Sequence, residues 1–350
     1  MAKELIVEAL RGEIVESRHH VVAVAVTADG RLIQAWGDAG SVTFMRSSAK
    51  PFQALPLVES GAADAFGFGP RELALACASH AGTDAHAEVA GRMLAKLGLS
   101  ETALQCGTHS PYDRATARRL IQEGEPLTAL RHNCSGKHAG MLALSLHLGE
   151  PIESYLDPGH VIQRRIRETL GQMADLTVGE IHIGVDGCSA PTFALPLRSA
   201  ALAYARLMSP EGLPASLATA CEHVVEAMLA HPDMVSGPGR FDTRLMEVGA
   251  GRILAKGGAE GYQGLGLRAG ELGPGSPAAG LALKVWDGDP SGRARSVAAL
   301  AILQALGALS KDNLSALEEF GERPLLNLRG KRVGRIRVHP GFQDEFAAPR

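Results

Sequence analysis

Apolar residues recur along this chain with two different periods. In "HHVVAVAVTADGRLIQAW", residues 19–36, an apolar run gives way to Asp29-Gly30 and then to a second run ending at Trp36. Short apolar runs on either side of an Asp-Gly pair predict a β-hairpin. From Ser47 the spacing turns helical, with Phe52, Leu55, Leu57 and Val58 apolar and a stop near Gly61. Helical spacing then continues through "PRELALACASH", "AHAEVAGRMLAKLG", "RATARRLIQEG", "KHAGMLALSLHLG" and "VIQRRIRETLGQMADL", punctuated by Gly, Pro, Thr and Ser.

"GEIHIGVDGCSAPTF" reads as a short strand entering a glycine-rich turn, followed by helices around "FALPLRSAALAYARLM" and "SLATACEHVVEAMLAH" and a loop, "PDMVSGPGRFD". The last third returns to strands in "GRILAKGG" and "AAGLALKVWDG", then a helix, "RARSVAALAILQALG", and a basic terminal strand, "KRVGRIRVHP". Sheet-forming parts, about 1–45 and 250–350, thus flank a helical part, about 46–250. A terminal strand and helix that pair back onto the N-terminal hairpin make one α+β unit of residues 1–350 with a helical insert. The glycines are expected to cluster at turns. No βαβ alternation, GxGxxG or Walker A string is present, so nucleotide binding has no local support.

Composition narrows the partners. With 45% hydrophobic residues over 350 positions the chain can bury a substantial core. A net charge of −3 gives no field for a nucleic-acid backbone or an anionic membrane. No apolar run reaches membrane-spanning length, and "MAKELIVEALRGEIVES" lacks the features of a secretory signal, so a cytoplasmic location is expected. Five cysteines, an odd number, argue against a disulfide framework. Only eight of the 35 basic residues are lysines: Lys3, Lys50, Lys96, Lys137, Lys256, Lys284, Lys311 and Lys331. Lysine can give up its proton where arginine cannot, so lysines among serines and glycines are candidates for chemistry.

Five segments stand out. In "MRSSAKPFQ", Ser47 lies three residues before Lys50. That spacing suits a serine nucleophile with a lysine base, and equally an N-capping Ser47 or Ser48 with a solvated Lys50. Pro51 disfavours helical geometry at the residue before it, so the helix is expected to start late. In "ACASHAGTD", Ser79 and His80 point in different directions and make no dyad alone, and Thr83 or Asp84 is a candidate cap. "RHNCSGKHAG" places Cys134, Lys137 and His138 at a helix start, either to hold an anion or a thiolate or as a start capped by Ser135. "VDGCSAPTF" offers Asp186 and Cys188 at a strand end, and "AKGGAEG" offers Lys256 before a glycine pair. Cys134 and Cys188 belong to no CxxC, so spacing alone favours buried inert thiols over a zinc site.

Taken in order, "MRSSAKPFQ", "CASHAG", "HNCSGKHAGML", "VDGCSAPTF" and "AKGGAEG" resemble the rhizobial-type (class 3) L-asparaginases of the bacterial asparaginase II family, over nearly the whole chain. The resemblance implies a fold like that of serine β-lactamases, penicillin-binding proteins and glutaminases. It implies hydrolysis of L-asparagine to L-aspartate and ammonia, and a homodimer. Residue by residue it implies two Ser-Lys pairs, Ser47 with Lys50 and Ser79 with Lys256. It implies zinc on Cys134, Lys137 and Cys188, positioning substrate rather than activating water, and Arg46, His138 and Asp186 as candidates for holding the substrate's charged ends.

Three rival readings remain open on the sequence. One is a serine amidase of other specificity, glutaminase-like or β-lactam-recognising, although Ser-Asp-Asn and Lys-Thr-Gly are absent as such. Another is a non-catalytic zinc- or amino-acid-binding protein. The third is a zinc hydrolase whose metal-bound water is the nucleophile.

Overall fold

The computed structural model describes residues 5–344, with side chains up to Phe342, so Lys3 lies outside the described residues. Among them the strands are β1 (Leu5–Arg11), β2 (Ile14–Thr27), β3 (Leu32–Trp36), β4 (Val42–Phe44), β5 (His182–Val185), β6 (Pro191–Pro196), β7 (Ile253–Gly257), β8 (Tyr262–Leu267), β9 (Ala279–Val285), β10 (Arg323–Leu326) and β11 (Arg332–Val338). The chain divides into two compact units. Unit 1 comprises 1–43, 195–209 and 248–350, and unit 2 comprises 44–194 and 210–247.

Unit 1 is built on an antiparallel sheet of order β10-β11-β1-β2-β9-β8-β7, with β3 also on β2. The Asp29-Gly30 hairpin forms in the register Ala23↔Trp36 and Val24↔Ala35. The terminal strand pairs back onto the N-terminus, Val7 opposite Val338 and Ala9 opposite Ile336. The α+β architecture expected from the periodicity is therefore present, with helices on a mainly antiparallel sheet.

Two local expectations change. "FALP" is the body of β6, and the helix begins only at Leu197, running to Met208. The glycines of "YQGLGL" and of "AAGLALKV" sit inside strands, not at turns, because this helix lies directly on them. A Cβ on Gly280 would come 2.0 Å from Ala201 O, and one on Gly264 would come 2.1 Å from the Tyr204 ring. Close backbone approach, not turn geometry, requires glycine there. It also draws residues 195–209, read from sequence as part of the helical middle, into unit 1.

Unit 2 is mainly helical. The helix Lys50–Glu59 is buried along nearly its whole length, as is Ser135–His147 from Ser135 to Ser145. Around them pack Pro70–Ala76, Asp84–Lys96, Val161–Ala174 and Ala215–Ala230. Pro51 sits in the first turn of Lys50–Glu59, where its missing N–H costs nothing. The residues before it, Arg46–Ala49, form a tight 3₁₀ turn. Gly136 permits close packing of Ser135–His147 on Pro70–Ala76, since a Cβ there would meet Leu75 O at 2.3 Å. Part of the "loop" after 232 is also helical, in Pro232–Val235 and from Phe241 to Gly249.

Candidate active site

Nine of the ten residues singled out from sequence belong to unit 2; Lys256 belongs to unit 1. The 3₁₀ turn carries the first of them. Its last bond runs from Lys50 N–H to Ser47 O, and a 3₁₀ turn stacks residues i and i+3 on one face. Neither Ser47 nor Ser48 caps the following helix, whose N-cap is Ala49 without a side-chain bond. Lys50 is not solvated: it is 1% exposed, and Nζ donates to Ala78 O at 2.6 Å, to Cys134 Sγ at 3.1 Å and, more weakly, to Asn133 O at 3.5 Å.

Arg46 enters the turn in left-handed backbone, φ +52°, and Ser189 does the same at φ +68° in the Asp186 turn. Such conformations cost a non-glycine residue about 1–3 kcal/mol and persist only where the surroundings impose them. Here they bring Arg46 Nη2 to 2.7 Å from Asp186 Oδ1. Burial raises the Asp186 pKa, but the hydrogen bond and charge of Arg46 outweigh it and hold the carboxyl below its ordinary range.

Ser79 and His80 diverge. Ser79 N–H donates to Val235 O at 3.0 Å, and its hydroxyl lies 2.9 Å from Asn133 Nδ2. His80 is fully buried, takes Gly82 N–H on Nδ1 and so donates from Nε2 to Ser135 Oγ at 2.9 Å. Ser135 in turn donates to Leu130 O, so its hydroxyl is committed there. It does not cap the helix, whose N-cap is Cys134. Gly82, at φ +76°, is required because a Cβ would strike Arg131 O at 2.6 Å. Thr83 does cap the next helix, pairing with His86 Nδ1, while His86 Nε2 donates to Asp233 O.

The two motif cysteines meet two of the three motif lysines. Lys137 Nζ donates to Cys188 Sγ at 2.9 Å, as Lys50 does to Cys134. The Cys134 pKa falls well below that of a free thiol, first through a hydrogen bond from Cys188 and then through the charges of Lys50 and Lys137, which together outweigh burial. Lys137 is raised: burial works against its charge, but Cys188 and Cys134 overcome it. Cys106, also buried, shows the contrary case, pushed up to about 12 by burial.

His138 is wholly buried behind this pair. Tyr155 O accepts Gln105 N–H at 3.1 Å and keeps its own proton for His138 Nδ1 at 2.6 Å. The imidazole proton therefore resides on Nε2, which lies toward Cys188 without reaching hydrogen-bond geometry. Burial lowers the His138 pKa to about 4, so the ring is neutral near pH 7.

The sequence reading left Asn133, His109, Tyr112, Tyr155 and Arg240 unassigned. His109 stacks on Tyr112 at 4.9 Å and meets His132 edge-on at 4.5 Å, and the Arg240 guanidinium lies 5.4 Å from the Tyr112 ring centre. Arg240 also reaches Ser79 O at 3.4 Å. Asn133 stands inside the dense polar run "RHNCSGKHAG", which was the one available signal; the others come from loops with no distinctive spacing. Lys256, on β7 of unit 1, is fully buried and donates to Gly257 O at 2.8 Å.

Two buried lysines each donate to a buried thiol, and that of Cys134 is lowered, a cluster of the kind found at functional sites. The family model described as L-asparaginase II matches residues 7–338, and the chain belongs to that family; it is an amidohydrolase. No curated protein matches the sequence. Among solved structures the chain is similar to a probable glutaminase from Bacillus subtilis complexed with 6-diazo-5-oxo-L-norleucine, at 12% identity and a TM-score of 0.38 over 81% of this chain and 83% of that one. It is also similar to Mglu in its native form in 4.3 M NaCl, at 18% identity and a TM-score of 0.40 over 83% of this chain and 60% of that one. For Mglu in its tris and glutamate form the identity is 14% and the TM-score 0.36, over 84% and 61%. The chain thus spans about 60% of the length of Mglu. Among the described residues no helix is long and apolar enough to cross a membrane.

Proposed function

We propose that the chain hydrolyses the side-chain amide of L-asparagine to L-aspartate and ammonia through a serine–lysine nucleophile. The observation that carries this reading is the Ser47–Lys50 turn, in which a buried hydroxyl and a buried amine share one face. For this step Lys50 first surrenders the proton whose charge lowers Cys134; the neutral amine then keeps two N–H bonds, to Ala78 O and Cys134 Sγ, and has its lone pair for the Ser47 proton. Ser47 Oγ then bonds the amide carbon, and the carbonyl π electrons move to oxygen. Collapse breaks the C–N bond, and ammonia departs with the proton from Lys50. Water cleaves the resulting ester and returns a proton to Ser47. The two serines differ in setting, and Ser79 is the alternative nucleophile.

Free asparagine is a zwitterion, and the Arg46–Asp186 pair offers the two complementary charges 2.7 Å apart with both side chains partly exposed. Arg46 suits the α-carboxylate and Asp186 the α-ammonium.

The donor chemistry also fits zinc. Among the described residues no cluster of three His, Cys, Asp or Glu is arranged for a metal, so a site here depends on the lysine. Cys134, Cys188 and Lys137 would hold the ion, which when bound supplies an electrophile that orients the substrate. Tyr155 and His138 stand behind Cys188 and would fix its direction. Because Lys137 is raised and must shed its proton to ligate, zinc affinity measured against a competing chelator is expected to fall as pH falls.

The test is ammonia release from asparagine, glutamine and a β-lactam panel by wild type and by Ser47→Ala. Turnover of asparagine that Ser47→Ala abolishes supports the reading. Absence of ammonia from every amide would sink it, and preference for glutamine would reassign the substrate.

A further inference from the structure

Ser79 sits in a hydrogen-bonded layer that the proposed reaction has not used. Asn133 Nδ2 donates to Ser79 Oγ at 2.9 Å. That bond occupies one oxygen lone pair and leaves the serine's own proton available to be given away. The Asn133 backbone is fixed on both sides. Its N–H donates to His109 Nε2 at 3.0 Å, and its carbonyl accepts His80 N–H at 3.2 Å and Lys50 Nζ at 3.5 Å. His109 can accept because its proton is committed at Nδ1, which donates to Ser110 O at 2.7 Å. Its ring is held between Tyr112 and His132, and Arg240, which lies over Tyr112, holds the Ser79 carbonyl.

We propose that Asn133, steadied by His109, is a positioning residue for the Ser79 hydroxyl, an inference that rests on the serine amidohydrolase reading above. One residue thereby touches both motif segments of unit 2: its side chain sets Ser79, and its carbonyl is one of the Lys50 acceptors. A displaced Asn133 misaligns the reacting groups without removing the Arg46–Asp186 pair that receives the substrate. The loss is therefore expected in kcat and not in KM.

Steady-state ammonia release by the full chain tests this, with thermal midpoint and zinc content measured for every variant. Asn133→Ala is expected to lower kcat on the order of 10²-fold, the cost of a misplacement near 1 Å, with KM little changed. Asn133→Asp keeps the shape but cannot donate, and is expected to fall as far. His109→Ala should lose about tenfold, the equivalent of one hydrogen bond, and His109→Gln, whose amide oxygen can take Asn133 N–H, should recover most of it. Full kcat in Asn133→Ala or Asn133→Asp overturns the proposal. So does a kcat loss that merely follows a lowered thermal midpoint or lost zinc. A wild type inactive on every amide instead sinks the amidohydrolase reading and this inference with it, whereas an active wild type with an unaffected Asn133→Ala sinks the inference alone.

Discussion

Unit 1 buries Lys256 and Lys284, unit 2 buries Lys50 and Lys137, and the partners differ. Lys284 Nζ donates to the carbonyls of Glu260 and Val285, and Lys256 to that of Gly257. In unit 2 each lysine also meets a thiol, Lys50 that of Cys134 and Lys137 that of Cys188. A carbonyl can accept a hydrogen bond from an ammonium but cannot exchange a proton with it. A thiol can, and its charge answers to its neighbours. A thiol partner therefore marks a buried lysine for proton exchange more directly than burial alone does.

The sharpest way to break that contrast is to remove one lysine from each unit. Lys50→Met is expected to lower kcat for asparagine about 10²–10⁴-fold, the range of a lost general base, while the protein stays folded. Lys284→Met should leave kcat within a few-fold of wild type and register, if anywhere, in unfolding free energy. Equal losses of kcat in two folded variants would erase the distinction.

The cysteines give a second, smaller test. Cys188→Ser is expected to raise KM about 10–100-fold and to leave a residual rate, because the thiol is assigned to positioning. Cys106→Ser, which replaces a thiol that burial keeps protonated, should change neither parameter. Complete loss of turnover in a folded Cys188→Ser would point to a metal-bound water as nucleophile.

Gly136→Ala tests whether the motif glycine is there for packing. Its Cβ would overlap Leu75 O, so a loss of about 1–3 kcal/mol in stability is expected from denaturant unfolding. A neutral result would mean that the helix can slide.

The mildest effect concerns pH. Burial lowers the pKa of both His80 and His86, whose rings stack 4.7 Å apart. Their folded values lie below the unfolded 6.5, so the stability they contribute is fully present above pH 6.5 and is lost as pH falls below it. His80, lowered the further of the two, contributes the steeper part, and neither can exceed about 1.4 kcal/mol per pH unit. Unfolding free energy that stays flat from pH 7 to 5 would show that these rings accept protons without cost.

Much of this was legible in the sequence, and unevenly so. The Asp29-Gly30 hairpin and the return of "KRVGRIRVHP" to the N-terminus followed from period-2 runs and a turn pair, both local signals. The glycines of β8 and β9 were misread as turn residues because nothing local distinguishes a glycine under a helix from one in a bend. Ser47, Ser48 and Ser135 looked like caps for the same reason: a hydroxyl at a helix start fits that role until a tertiary partner, Leu130 O for Ser135, claims it. Asn133 was visible as part of a crowded polar run, but its target, Ser79, is 54 residues away.

By itself the sequence determined which residue types stand at each helix start and strand end, since hydrophobic period and turn chemistry act over a few residues. It also carried the order of unusual strings that marks the family. The tertiary structure decided which lysines lost water, which thiol was pushed toward ionisation and which amide turned toward a serine. Those outcomes depend on burial and on charges within a few ångströms, brought from segments as distant in sequence as Arg46 and Asp186, 140 residues apart, and no local spacing encodes them.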